Sequence, residues 1–358
     1  MSYPVLRVHL DVMESNMNKI VSKCAEHGIS VWAVTKGLSA PLELARRLSG
    51  TKVSALADSR IKNIRRMKED GIKTPFALIR IPMRSEIEDV IGLADYSLVS
   101  DIGTLELMSK VCEAKKKEHS VLLMADMGDL REGFWPDEAE AVAEGLKKLS
   151  PALRISGIGV NYGCASGVLP SKESMQRFLS FGEKIESVIG RKLDIYSGGA
   201  TTRSLIALDD GLFSARINNL RIGEGYLLGS DKSSGVIVPW LRQDTMELEA
   251  ELVEVRRKPT KPIGEVGRDA FGNVPHFEDR GERLRGILAI GRQDVNIGGL
   301  TPLDEGVKII TASSDHLLVD IEDCPVLHKV GEILRFRLDY PGMLSSSTSS
   351  YVTKIYEG

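Results

Sequence analysis

Between about residues 11 and 230, short apolar β-prone runs alternate with amphipathic stretches, and this constrains the fold more than any other feature. The first run is Val31 to Thr35, and others follow at 53–57, 76–81, 96–99, 121–125, 155–160, 193–196 and 217–222. The first is continuously apolar, the pattern of a strand covered on both faces. Helical spacing separates them: Met13, Met17, Ile20, Val21 and Cys24 share one face before the stop at Gly28, and similar stretches cover 59–70, 101–118, 136–149 and 172–190. Eight strands alternating with helices predict a closed (β/α)8 TIM barrel over 11–230, since open doubly wound sheets rarely use so many units.

Beyond residue 230 the helical period fades. Long β-prone runs at 246–257, 284–291, 307–321, 332–338 and 350–356 predict a mostly antiparallel β domain over 231–358, with residues 1–10 pairing with it. The stretch 258–282 is rich in Gly, Pro and charge and is expected to be a long loop.

Charge narrows the class. Lys and Arg total 47 against 50 acids, a formal charge of -3, which disfavours nucleic-acid and polybasic membrane binding. No apolar run reaches membrane-helix length, the start has no signal-peptide pattern, and the four cysteines stand far apart. A cytoplasmic, reduced protein without disulfides or a metal site is expected.

In such a barrel the chemistry gathers at the carboxyl ends of the strands. Lys36 closes the run Val-Trp-Ala-Val-Thr-Lys, where burial would lower its pKa and allow covalent chemistry with a carbonyl. Equally, its stem could pack on the rim with the ammonium in water. The turns Ser197-Gly-Gly-Ala-Thr-Thr202 and Arg221-Ile-Gly-Glu-Gly225 follow the last two strands, where this architecture usually binds phosphate. Glycine exposes amides to an anion and threonine adds hydroxyl donors. A lysine facing a phosphate anchor points to pyridoxal 5′-phosphate or a phosphorylated carbonyl substrate.

Together these segments resemble the alanine racemase-like, fold-type III pyridoxal-phosphate enzymes, with the alanine/ornithine racemase group nearest. The resembling stretches are Ala33-Val-Thr-Lys36, Leu123 to Gly133, Gly157-Ile-Gly-Val-Asn161, Ser197-Gly-Gly199, Asn219 to Glu224, Gly291-Arg-Gln-Asp294 and Ala312 to His316. The resemblance implies that Lys36 bonds to pyridoxal 5′-phosphate and is one of two proton carriers. It places Arg131 at the cofactor's phenolic oxygen and the substrate carboxylate, and Asn161 where a histidine stacks on the ring. Arg221 would meet the pyridine nitrogen, while Thr201, Thr202, Ile222, Gly223, Glu224 and Tyr340 would hold the phosphate. An arginine cannot protonate that nitrogen, which favours racemisation over side reactions; the alternative is a rim arginine paired with Glu224.

Three positions depart from alanine racemases. Met124 replaces a modified lysine, Ala40 a phosphate-binding tyrosine, and Pro262 to Gly267 a segment whose tyrosine is the second proton carrier, supplied by the partner subunit. Asp269, His276, Asp315 and His316 are the substitutes considered, with Asp315 and His276 put forward. The implied activity is interconversion of L- and D-amino acids, the substrate being ornithine, lysine or alanine, in a homodimer whose β domains complete each other's sites. Alternatives are a pyridoxal-phosphate homeostasis protein, or a D-amino-acid lyase or decarboxylase.

Overall fold

A computed structural model describes residues 2–274 and 276–358. The chain divides into two compact units, one of Leu10–Gln243 and one made of the segment ending at His9 together with Asp244–Gly358.

The strand β1 (Val5–His9) leads into α1 (Leu10–Glu26), which opens the barrel unit. There β2 (Ser30–Val34), β3 (Ala55–Asp58), β4 (Phe76–Leu78), β5 (Tyr96–Val99), β6 (His119–Ala125), β7 (Leu153–Val160), β8 (Ile195–Ser197) and β9 (Asn219–Ile222) close a parallel barrel in chain order. The ring is sealed where Val31 pairs with Leu220. Its interior is filled by Trp32, Val34, Ala55, Ala57, Ala77, Leu98, Leu122 and Met124, so the barrel is a packed core with its mouth left for chemistry.

The intervening helices are α2 (Leu42–Gly50), α3 (Ile61–Glu69), α4 (Ile87–Leu93), α5 (Ile102–Lys115), α6 (Ala139–Leu146), α7 (Lys172–Ile189) and α8 (Glu224–Leu228). Local chemistry sets their ends. Asp101 caps α5 by accepting from Thr104 N at 2.7 Å, and Ser171 caps α7 from Ser174 N at 3.1 Å. Gly190 then ends α7 at φ 70°, the left-handed position that glycine reaches without strain. The third barrel strand is shorter than the 76–81 expected. Pro82 cannot donate to a ladder, and Arg80 turns away to pair with Glu86 at 2.8 Å. A small hairpin, β10 (Ser230–Asp231) with β11 (Val236–Ile237), belongs to the barrel unit, which therefore runs past residue 230.

In the other unit, β12 (Met246–Pro259), β13 (Glu282–Leu288), β14 (Leu300–Pro302), β15 (Lys308–Ala312), β16 (Leu317–Asp320), β17 (Ile333–Leu338) and β18 (Thr353–Glu357) join β1 in one sheet. Its pairs are antiparallel except β1 with β18. The run read as 307–321 is two strands, folded back at a turn where Ser313 N donates to His316 O at 2.9 Å. The helix α9 (Tyr340–Thr348) was not anticipated in the serine-rich stretch. Its signal was present: Asp339 caps Gly342 N at 3.0 Å with Pro341 in the first turn. The long loop is held at its base by Thr260 N donating to Gly281 O at 3.0 Å.

Candidate active site

Lys36 begins the turn after β2, at the carboxyl end of a strand whose last residues are buried. The neighbouring Thr35 is wholly buried and donates its hydroxyl to Asp58 at 2.7 Å. Burial lowers the Lys36 pKa, and the nearby positive charge of Arg131 acts in the same direction. Cys164, Asp58 and Glu132 pull the other way without cancelling the shift. The sequence left open a desolvated amine or a rim lysine; the geometry gives a desolvated amine, able to lose its proton closer to neutrality than a lysine in water.

Arg221 lies on β9 and is 3% exposed. It does not pair with Glu224. One guanidinium nitrogen donates to Ser197 Oγ and another to Val160 O at 2.7 Å. Among the described residues no carboxylate makes an ion pair with it. Burial brings its pKa down to about 10, so it stays cationic at neutral pH and has donors but no readily released proton.

The two glycine turns meet. Gly225 N donates to Thr201 Oγ1 at 3.2 Å, and a Cβ on Gly225 would come 2.5 Å from Leu205 Cδ1, so a larger residue here would have to displace that side chain. Thr202 Oγ1 lies 3.3 Å from Ser233 Oγ, and Arg203 N is fixed by the Asp231 carboxylate. Ile222 is buried in β9, and Gly223 packs on Val34 of β2, which brings this turn beside Lys36. The Glu224 side chain accepts from Ser230 Oγ at 2.8 Å and Lys232 N at 2.7 Å, leaving its backbone as the part able to face an anion. Tyr340 is the first residue of α9, in the β unit.

After β6 the chain makes a tight excursion organised by Asp126, which accepts from Gly128 N at 2.8 Å and Leu130 N at 3.2 Å. Gly133 returns the chain against the Asp126 backbone at φ 142°, where any Cβ would collide. Arg131 projects from this excursion. Burial depresses its pKa, but the adjacent Glu132 more than restores it, leaving it above the ordinary arginine range. Asn161, at the end of β7, is nearly buried, and its amide nitrogen has no partner. Met124 is fully buried inside the barrel, filling rather than supporting Arg131, and Ala40 is buried beside the turn that starts with Lys36.

Cys164 was not singled out from the sequence. Its loop follows β7, its side chain is exposed, and its charge reaches Lys36, Arg131 and Arg221. A lone cysteine with no spaced partner carries no sequence signal; only folding brings it to these cations.

The acid/base candidates read from the last third of the chain lie in the β unit. Asp315 is exposed, with its carboxylate taken by Gln293 and by Ser314 Oγ at 2.6 Å. His276 is exposed, as is His316, and Asp269 is tied up by Phe271 N, Asn273 N and the Asn273 side chain. Cys324 and His328, which looked scattered, touch at 3.4 Å. Among the described residues no group of His, Cys, Asp and Glu is arranged to hold a metal, and no helix is long and apolar enough to cross a membrane.

The parallel barrel carries at one mouth a desolvated lysine, a buried arginine that makes no ion pair among the described residues, and a glycine-threonine turn. The family model described as "Alanine racemase, N-terminal domain" matches residues 8–229, and the chain belongs to the alanine racemase family. It is 39% identical over 354 residues to ornithine racemase of Acetoanaerobium sticklandii, covering 98% of this chain and 99% of that protein. It is also 39% identical over 358 residues to lysine racemase of Thermotoga maritima, covering 100% and 99%. Alanine racemase of Clostridium difficile 630 shares the fold at TM-score 0.78 and 19% identity, covering 100% of this chain and 96% of that one. Alanine racemase of Bartonella henselae, solved with covalently bound pyridoxal phosphate, does so at 0.75 and 16%, covering 100% of each.

Proposed function

We propose that this amino-acid racemase acts on a basic amino acid, ornithine or lysine, with pyridoxal 5′-phosphate bound at the barrel mouth, and that it works as a homodimer. The single observation that carries the cofactor assignment is the desolvated amine of Lys36 after β2 together with Arg221 on the neighbouring strand β9, a buried cation that makes no ion pair among the described residues. The groups present fit the cofactor. Thr201, Thr202 and the backbone of Ile222, Gly223 and Glu224 surround the place for its phosphate. The unpartnered Asn161 amide supplies a donor, and Arg221 a cation for the ring nitrogen. When bound, the cofactor supplies an aldehyde that bonds to amines and a ring that draws electrons from the substrate's α-carbon.

The chain's own groups then have separate tasks. Lys36 Nζ removes or returns the α-proton on one face, and burial lowers its pKa, which favours the neutral, proton-accepting form relative to a lysine in water. Arg221 holds its position through Ser197 and Val160 and has no proton to release at that pH. Arg131 is assigned to the substrate carboxylate. Glu132, whose charge reaches Lys36 and Arg221, is an acid suited to a substrate with a second ammonium group. The names of the relatives from Acetoanaerobium sticklandii and Thermotoga maritima support that choice over alanine.

The test is α-proton exchange into D₂O across ornithine, lysine, alanine and acidic amino acids, with cofactor added and the oligomer measured by sedimentation equilibrium. Ornithine or lysine should exchange fastest, and borohydride should fix the cofactor to Lys36. Fixation to another lysine, or faster exchange of alanine, would overturn the corresponding part.

A further inference from the structure

Racemisation needs proton carriers on both faces of the α-carbon, and the structure puts a second group capable of this in the barrel unit itself. We propose that Cys164 is the acid/base group working opposite Lys36. This rests on the reading of the chain as a racemase and assigns to the same chain a role that the family resemblance gave to the partner subunit.

The loop after β7 is pinned at three places. At its start, Val160 O accepts from Arg221 at 2.7 Å. At Gly163 it lies against the phosphate candidates: a Cβ there would come 2.7 Å from Thr202 Cγ2 and 3.0 Å from Ser233 Oγ. At Ser166 both the amide and the hydroxyl donate to Asp129 Oδ1, at 3.2 and 2.9 Å, which ties the loop to the excursion that carries Arg131. Cys164 sits between the second and third pins, exposed, on a loop tied to the excursion that carries Arg131. As a thiolate it would act on the charges of Lys36 and Arg221.

A second observation on the same loop points to a ligand: the nearly buried Asn161 presents an amide nitrogen with no partner. The other barrel-unit cysteines are unlike Cys164. Burial pushes the Cys24 thiol up to about 12 and the Cys112 thiol up to about 11, which makes both inert. A thiol suits two-way transfer because it gives up a proton as S–H and takes one back as the thiolate.

The proton balance closes without an oxidant. In one direction the Cα–H bond breaks as Lys36 Nζ takes the proton, and the Cys164 S–H bond breaks as a new Cα–H bond forms on the other face. The ammonium then loses one proton to water and the thiolate gains one. The reverse direction exchanges donor and acceptor.

The experiment uses Cys164→Ala and Cys164→Ser in the full, cofactor-loaded chain. Cofactor absorbance should be retained while racemisation falls by about 10²-fold or more in both directions. One enantiomer should still exchange its α-proton with D₂O through Lys36, without inversion. A readout independent of turnover is iodoacetamide labelling of the apoprotein, mapped by mass spectrometry. Pyridoxal 5′-phosphate should slow labelling of Cys164 by about tenfold and leave Cys324 unaffected. Wild-type racemisation rates in Cys164→Ala, or labelling of Cys164 indifferent to cofactor, would overturn the proposal. If the loaded wild type exchanges no amino-acid α-proton, the racemase reading fails and this role falls with it; if the wild type racemises and the variants match it, only Cys164 is wrong.

Discussion

Asp320 in the β unit and Arg221 at the barrel mouth are buried to nearly the same degree, yet they are partnered in opposite ways. Asp320, 1% exposed, accepts from Arg280 at 3.0 Å and Arg283 at 2.6 Å, and Arg283 and Lys308 also reach Asp323. Arg221 is hydrogen-bonded to a hydroxyl and a carbonyl and, among the described residues, makes no ion pair. Removing a charge from water is costly, and a structural ion recovers part of that cost from its counter-ion. A buried cation without one is the arrangement expected where a ligand completes the electrostatics. Asp320 thus uses buried charge to hold strands together, whereas at Arg221 it is held in reserve.

The largest effect should come from Lys36→Ala, which removes both the covalent attachment and one proton carrier. Racemisation should fall by at least about 10³-fold, with chain stability nearly unchanged because among the described residues the side chain makes no ion pair. Measurable racemisation above that level would remove Lys36 from the site.

Arg221→Glu reverses the reserved charge and should lower racemisation by roughly 10²-fold, with a keto-acid by-product detectable by chromatography. A variant that folds, as judged by its melting transition, and racemises normally without by-product would show that Arg221 does not govern the cofactor ring.

Asp320→Asn probes the other side of the comparison. Loss of the charge between two arginines should cost roughly 3 kcal/mol in denaturant unfolding of the β unit and leave the exchange chemistry in place. Burial pushes the Asp320 carboxyl up, but Arg283 and Arg280 outweigh it and hold its pKa below the usual carboxylate range. Its contribution is therefore complete above that range and is lost as the pH falls through the depressed value, so the gap between wild type and Asp320→Asn should close on acidification. A gap independent of acid pH would mean that the pair adds no net stability.

The eightfold alternation and the β-rich tail were legible because strand and helix periods follow from local burial, which a sequence writes residue by residue. The same holds for Lys36 and the two glycine turns, since position at a strand end and the absence of a Cβ are local properties. Less visible were the split of 307–321 at a four-residue turn and the helix α9, where serine content masked the cap at Asp339 and Pro341.

The sequence by itself determined the barrel, its order of strands and the residue types available at its mouth. Tertiary structure alone decided their partners. Arg221 turned from Glu224 to Ser197 and Val160, and Cys164, with no motif around it, came to lie on a loop pinned to Thr202, Ser233 and Asp129. The physical reason is range. Hydrophobic period and turn chemistry act over a few residues, whereas desolvation and charge pairing depend on which distant strands the closed barrel sets side by side.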